Sequence, residues 1–383
     1  MTDPHSLIPF RGQGPGSGMS GASLGVAVVG AGYWGSHLAR TFYRSDEWDL
    51  IAVCDLDLDR AAALAGLCGA KAFGSLDEAL DTVDVDAVAI ATPARTHYGV
   101  ALTALGAGKH VLVEKPLADR WDKGADMVRA AQEGGLVLMV DHTYCFTPVV
   151  QKMRELLLGG ELGDILYVDS VRINPGLVQP DVDVFWDLAP HDLSILDFVL
   201  PDGLTPDAVS AHGADPLGTG RDCVGHLSFD LPDGAMAHIH VNWLSPPKIR
   251  QMVVGGTRRT LVWDDLSPRQ PLSVYDCGGQ LPMHGGRRSR SALERGDGSG
   301  DRWSPALPER EALGQMVGEF AGSIRSGRPS TSSASSALRV LRVLEAAGRS
   351  LQRDGAQAPI DAGTNAVPGS ARQSGSVRQE AGA

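Results

Sequence analysis

Gly30-Ala31-Gly32-Tyr33-Trp34-Gly35 follows the apolar run Val26–Val29 and opens a segment in which Trp34, Leu38 and Phe42 recur at helical spacing. No other feature constrains the fold as much, because each glycine between a strand and a helix has a separate job. Gly30 permits a tight turn, Gly32 lets backbone approach a pyrophosphate, and Gly35 allows close helix-on-sheet packing. The helix N-terminus adds free N–H groups and a positive dipole. Asp55 ends the next strand candidate, 20 residues beyond Gly35, where a carboxylate can accept from both ribose hydroxyls. Together these residues specify a dinucleotide site made of Gly30, Gly32, Tyr33, Trp34, Gly35 and Asp55. The same carboxylate repels a 2′-phosphate, and Leu56-Asp57 follows it with no Arg or Ser to neutralise one, so NAD is preferred to NADP.

From Leu24 to Asp141 short apolar runs alternate with helical patterns. The strand candidates are Val26–Val29, Leu50–Cys54, Ala87–Ala91, His110–Val113 and Val137–Val140, and the helical ones include Arg60–Leu67, His97–Leu105 and Trp121–Ala131. Runs that are apolar throughout suit strands covered on both faces, so residues 24–142 read as a doubly wound parallel (Rossmann) sheet. After about Thr143 the strands alternate in polarity and short Pro/Gly turns join them, interrupted by a helix near Pro190–Val199. Residues 143–355 therefore read as an α+β domain with an open, largely antiparallel sheet, and the whole chain as α/β. Residues 278–308 read as a flexible surface insert, with two packing helices after it, Glu311–Ser323 and Ser336–Leu351. Residues 1–23 and 356–383, rich in small and polar residues, read as disordered ends.

The balance of 34 basic to 46 acidic residues, net −12, is the wrong sign for a chain gripping nucleic acid over its surface. No run of about 18 apolar residues offers a membrane span. Five cysteines without a CxxC pair suggest neither a disulfide framework nor a metal site, and fit reduced thiols in a cytoplasm.

Two further constellations carry chemistry. Glu114-Lys115-Pro116 follows a strand candidate directly, at the sheet edge where ligands of doubly wound folds bind. Lys115 there can serve as a catalytic acid or base, or be an ordinary strand-end lysine. In Trp186-Asp187-Leu188-Ala189-Pro190-His191-Asp192, Pro190 suits a first helical turn, and Asp187 and His191 face one cleft if the helix has already begun. His191 is then a proton relay; otherwise it is a solvated histidine with Asp187 as a helix cap.

These motifs, with Thr92-Pro93 before His97 and the closing phrase Leu338–Ala347, resemble the glucose-fructose oxidoreductase and inositol dehydrogenase family (Gfo/Idh/MocA) over about residues 24 to 352. The resemblance implies that Lys115 and His191 are catalytic and that Asp187 orients the substrate or the histidine. It also implies a cis Lys115–Pro116 bond, a nicotinamide-side loop of Thr92, Pro93 and His97, and Glu114 near the nicotinamide ribose. The Trp186–Asp192 stretch looks like a branch of nucleotide-sugar dehydrogenases that oxidise a ring hydroxyl, typically at C3, as in UDP-N-acetylglucosamine bound for an amino sugar. Arg172 and Asn174 then become candidates for sugar or phosphate contacts. Relatives often place Asn or Arg after the strand that ends at His142, where this chain has Cys145-Phe146, which weakens the case for substrate contacts from that loop. Alternatives are an inositol or free-sugar dehydrogenase, an NADPH-dependent ketosugar reductase, or an inactive NAD-binding sensor or scaffold. Pairing into a homodimer or homotetramer through the second sheet is implied as well.

Overall fold

The computed structural model describes residues 22–176, 178–179, 181–276 and 300–360. In the first half, β1 (Leu24–Val29), β2 (Trp48–Cys54), β3 (Lys71–Phe73), β4 (Ala87–Ile90), β5 (His110–Glu114) and β6 (Leu138–Asp141) form one sheet in the order β3-β2-β1-β4-β5-β6, parallel throughout. Helices α1 (Tyr33–Arg44), α2 (Leu58–Cys68), α3 (Leu76–Thr82), α4 (Ala94–Gly106) and α5 (Trp121–Glu133) make the crossovers. The sequence reading missed β3 and α3. Strand order reverses between β1 and β4, so the loops after them diverge and leave a crevice at the carboxyl edge.

A 3₁₀ turn (Thr143–Phe146) and α6 (Pro148–Leu158) lead into the second sheet. Its strands are β7 (Ile165–Pro175), β8 (Ala208–Ala214), β9 (Val224–Asp230), β10 (Met236–Asn242), β11 (Leu244–Gly256), β12 (Arg259–Asp264), β13 (Leu272–Asp276), β14 (Arg302–Trp303) and β15 (Ala358–Pro359). They lie in the order β14-β13-β12-β11-β7-β10-β9-β8-β15, antiparallel except for the β7–β10 pair. Helix α7 (Val184–Val199) packs on this sheet. Asp183 caps it, accepting from the Trp186 N–H at 2.9 Å, so Pro190 sits inside the helix and not in its first turn.

Two expectations about the insert and the chain's end change. Arg302–Trp303 pairs with β13, so the insert is not loop throughout; residues 277–299 lie outside the described ones. Ala358–Pro359 pairs with β8, so ordered chain runs past 355; residues 361–383, and 1–21 at the other end, also lie outside.

The closing helices α8 (Ala312–Ser326) and α9 (Ala334–Leu351) return to the first sheet's side, which an apolar stripe alone could not reveal. Trp48, fully buried, donates from Nε1 to the Val317 carbonyl at 2.8 Å and stacks on Phe320 at 5.3 Å. Glu345 of α9 accepts from the Trp121 N–H at 2.7 Å. Large buried aromatics dominate such contacts, so α8 and α9 join the two halves as packing and not as a tether.

Candidate active site

The glycine turn behaves as its spacing demands. Gly30 has φ +98°, and a Cβ there would come within 2.7 Å of the Ala91 carbonyl oxygen in the loop after β4. A Cβ on Gly35 would lie 1.7 Å from the Gly30 carbonyl oxygen, whereas one on Gly32 would meet nothing within 4 Å. Gly32 thus faces a groove of about 1070 Å³, lined also by Asp55, Thr92 and Pro93. A groove with an open backbone floor at a helix N-terminus fits a dinucleotide pyrophosphate. Asp55 closes its far wall: Oδ2 accepts from the Ala31 N–H at 2.7 Å and Oδ1 from the Asp57 N–H at 2.9 Å. Contrary to the local sequence reading, cationic and hydroxyl groups do reach this wall. Arg60 lies 3.9 Å from Asp55, and Ser75 lines the groove as well.

A second cavity, about 580 Å³, contains Lys115, Asp187 and His191 together; Tyr33, Trp34 and Ala94 line it and not the groove, with Tyr33 and Ala94 directly following the groove's Gly32 and Pro93 in the chain. Lys115 directly follows β5 and has a cis bond to Pro116, as the resemblance implied. Its Nζ donates to the Asp187 carbonyl oxygen at 2.8 Å and to Oδ1 at 3.2 Å, and Trp243 Nε1 donates to Oδ2 at 3.0 Å. Asp187 therefore holds the lysine, not the histidine. The Lys115 side chain stays 18% exposed, enough for a ligand to reach it. One turn along α7, His191 is held far below the usual imidazole range, first by burial and then by the charges of Lys115, Arg172 and Arg250. The same causes keep the imidazole in the neutral form a base needs and make it a weaker base than a solvated one.

Glu114 lines the same cavity beside Asp141, its register partner on β6. Burial, then the Asp141 charge, raises the Glu114 carboxyl well above the carboxylate range. Asp141 accepts from Trp34 Nε1 at 2.8 Å and from the Thr143 N–H and hydroxyl, so Trp34 is pinned to β6 while exposed Tyr33 stands at the rim.

Other expected residues stand elsewhere. His97 is buried, with Nδ1 2.9 Å from the Pro116 carbonyl oxygen and Nε2 2.8 Å from that of Thr92; it braces the loop, while Thr92 and Pro93 line the groove. Arg172 is 2% exposed and engages Asp192 through Nε and Nη2 at 2.8 and 3.0 Å. Neither it nor Asn174 is among the residues lining the cavity. The loop after His142, where Cys145-Phe146 weakened the case for substrate contacts, supplies Thr143, Tyr144 and Thr147 to the wall, with Cys145 and Phe146 buried behind. An acid at a strand's carboxyl end was the available signal for Asp141; Tyr144 had none. An annex of about 500 Å³ shares Asp181 and Trp186 with the cavity and adds Asp119, Asp183, Asp215 and Asp222 against one Arg221.

Residues 24–142 match the family model described as oxidoreductase family, NAD-binding Rossmann fold, and residues 150–262 match the GFO/IDH/MocA C-terminal domain. The UDP-N-acetylglucosamine 3-dehydrogenase of Acidithiobacillus ferrooxidans is 29% identical over 306 residues, 79% of this chain and 90% of that protein. A crystal structure of that dehydrogenase superposes with a TM-score of 0.74 and 26% identity, covering 87% of this chain and 99% of the other. GenD2 from gentamicin A biosynthesis, solved with NAD, gives 0.75 and 27%, covering 92% and 100%. Matched across both halves, and with a lysine, an aspartate and a histidine gathered beside a dinucleotide groove, this chain belongs to the Gfo/Idh/MocA family of NAD(P)-dependent oxidoreductases.

Proposed function

We propose that the chain oxidises a secondary ring hydroxyl of a sugar with NAD, and that the preferred substrate is a nucleotide-linked hexose oxidised at C3. The observation that carries this is the placing of Lys115, Asp187 and His191 in one cavity next to the glycine groove. Bound NAD supplies the acceptor for the carbon-bound hydrogen as hydride. His191, neutral, takes the hydroxyl proton, and the Lys115 ammonium, held by Asp187, donates to the oxygen as negative charge grows on it. Asp55 favours NAD over NADP because its carboxylate repels a 2′-phosphate; Arg60, 3.9 Å away and paired with exposed Asp57 at 3.1 Å, is a nearby cation that opposes this preference.

The carboxylate-rich annex favours a second reading, an uncharged free sugar or polyol, because a diphosphate would meet like charge there. Association through the second sheet is supported by its outward face, where Tyr167 and Met236 are exposed. Unpaired thiols at Cys54, Cys68, Cys145 and Cys223 support work in a reducing cytoplasm.

Lys115→Ala tests the core of the reading. Turnover on UDP-N-acetylglucosamine, TDP-glucose and myo-inositol, with NAD and with NADP, is compared with wild type. The variant should lose at least about 100-fold in kcat, the usual worth of a positioned acid or base, with NAD affinity nearly unchanged. Near-wild-type turnover would overturn the assignment. Preference for myo-inositol would select the second reading.

A further inference from the structure

His191 is asked to take a proton in a defined direction, yet among the described residues no hydrogen bond holds its ring. An acidic partner commonly fixes a catalytic imidazole. Here both Asp187 oxygens are engaged by Lys115 and Trp243. Among the described residues the ring's recorded neighbour is Tyr144, whose ring meets it edge to face at 5.2 Å and 76°.

Tyr144 is itself held on several sides. The Arg172 guanidinium lies 4.6 Å from its ring centroid, and Arg172 is locked in turn by Asp192. The Tyr144 hydroxyl accepts from Arg250 Nη1 at 2.8 Å and donates to Asp265 Oδ2 at 3.1 Å. Trp263 meets the ring edge on at 5.8 Å. Three strands, β7, β11 and β12, thus converge on one aromatic ring that shares the cavity wall with His191.

We infer that Tyr144 is the positioning residue for His191: its clamped ring sets the direction in which the imidazole meets the substrate hydroxyl. The inference rests on the reading of His191 as the base. It gives Arg172 a role one step removed from the substrate contact expected of it, and it accounts for a buried guanidinium in a strand beside the cavity. It also bears on protonation. The charged or titratable groups around His191 are Lys115 at the end of β5, His142 after β6, Arg172 on β7 and Arg250 on β11. The carboxylates paired with these cations are Asp187 with Lys115, Asp192 with Arg172 and Asp265 with Arg250. Removing the ring admits water without removing any of the charges.

The test uses the full chain with labelled histidines, the His191 resonance being assigned by its loss in His191→Asn. In Tyr144→Leu its titration midpoint should move up toward about 6.5, the solvated value, while Tyr144→Phe, which keeps the ring but loses the hydroxyl's bonds to Arg250 and Asp265, should give a smaller shift in the same direction. Tyr144→Met serves if the leucine variant does not fold, and NAD affinity and thermal melting report integrity. Turnover should follow the same split. With UDP-N-acetylglucosamine or myo-inositol, kcat in the leucine variant should fall about 100-fold, the order of loss that misplacing a catalytic group by an ångström brings, with KM for NAD unchanged. An unmoved midpoint in a folded ring-less variant overturns the inference, as does equal impairment of Tyr144→Phe. If His191→Asn retains turnover, the reading of His191 as base falls as well; if that variant is dead and Tyr144→Leu is normal, only the role of Tyr144 falls.

Discussion

Asp192→Asn is the sharpest perturbation of the scaffold beneath the cavity, because it changes one charge and almost no volume. Arg172 and Asp192 are 2% and 1% exposed. Two charge-assisted hydrogen bonds join them at 2.8 and 3.0 Å, and Asp192 Oδ1 also accepts from Ser170 Oγ at 2.9 Å. A carboxamide keeps one acceptor oxygen and turns an NH₂ toward a guanidinium N–H, so one bond becomes donor against donor. The guanidinium loses its counter-charge yet cannot shed its proton. Arg172 Nη1 already has no hydrogen-bond partner among the described residues, leaving little slack to absorb the loss. Removing one member of a buried pair costs about 3–5 kcal/mol. Urea unfolding followed by tryptophan fluorescence should show that loss, with NAD affinity retained because neither residue touches the glycine groove. Arg172→Met combined with Asp192→Leu should restore most of the stability, since no charge then remains buried. A loss under about 1 kcal/mol in the single variant, or a double variant as unstable as the single, would refute the buried-pair account.

Two further outcomes follow from positions already described. Gly35→Ala would drive a Cβ to 1.7 Å from the Gly30 carbonyl oxygen, so α1 must lift from the sheet; overpacking of this kind costs about 1–3 kcal/mol or more, and calorimetry should find NAD binding at least tenfold weaker. Wild-type affinity there would mean the turn is not the pyrophosphate seat. His142 is buried and held down to about 4, by burial first. Its folded pKa lies below the unfolded one, so the unfolded state binds the extra proton as pH drops below about 6.5, and stability is lost from there down to about pH 4 at about 1.4 kcal/mol per pH unit. Replacing His142 by Asn should flatten the fall in melting temperature between neutral and mildly acid pH; an unchanged slope would show that other groups carry it.

Part of this architecture could be read directly from neighbouring residues. The glycine turn, Asp55 at the end of β2 and Lys115 at the end of β5 all depend on local backbone geometry, and a strand end followed by a turn is written in adjacent residues. Asp187 and His191 share one face because α7 begins at Val184 and they are four apart; the sequence placed the helix start near Pro190, so their pairing was legible only as a condition. His97 carries the same kind of local signal, yet its ring points inward to two carbonyls and not into the groove. Period alone names a helix face without saying what that face meets.

Arg172 marks where such reading stops. Alternation on β7 assigns residues 172 and 174 to one side of the sheet, but it cannot say which side faces the cleft and which faces α7. That choice is made by Asp192, which reaches β7 only once α7 has docked. The same holds for the chemistry itself. Lys115 meets Asp187 across a sequence gap of 72 residues, and Trp34 meets Asp141 across 107. Each motif is spelled out locally, but the state of its key group is set by a residue from the other half or the far edge of the sheet. Mutations that loosen the contact between the halves should therefore impair proton transfer before they impair NAD binding, because the dinucleotide groove is built from the first sheet alone.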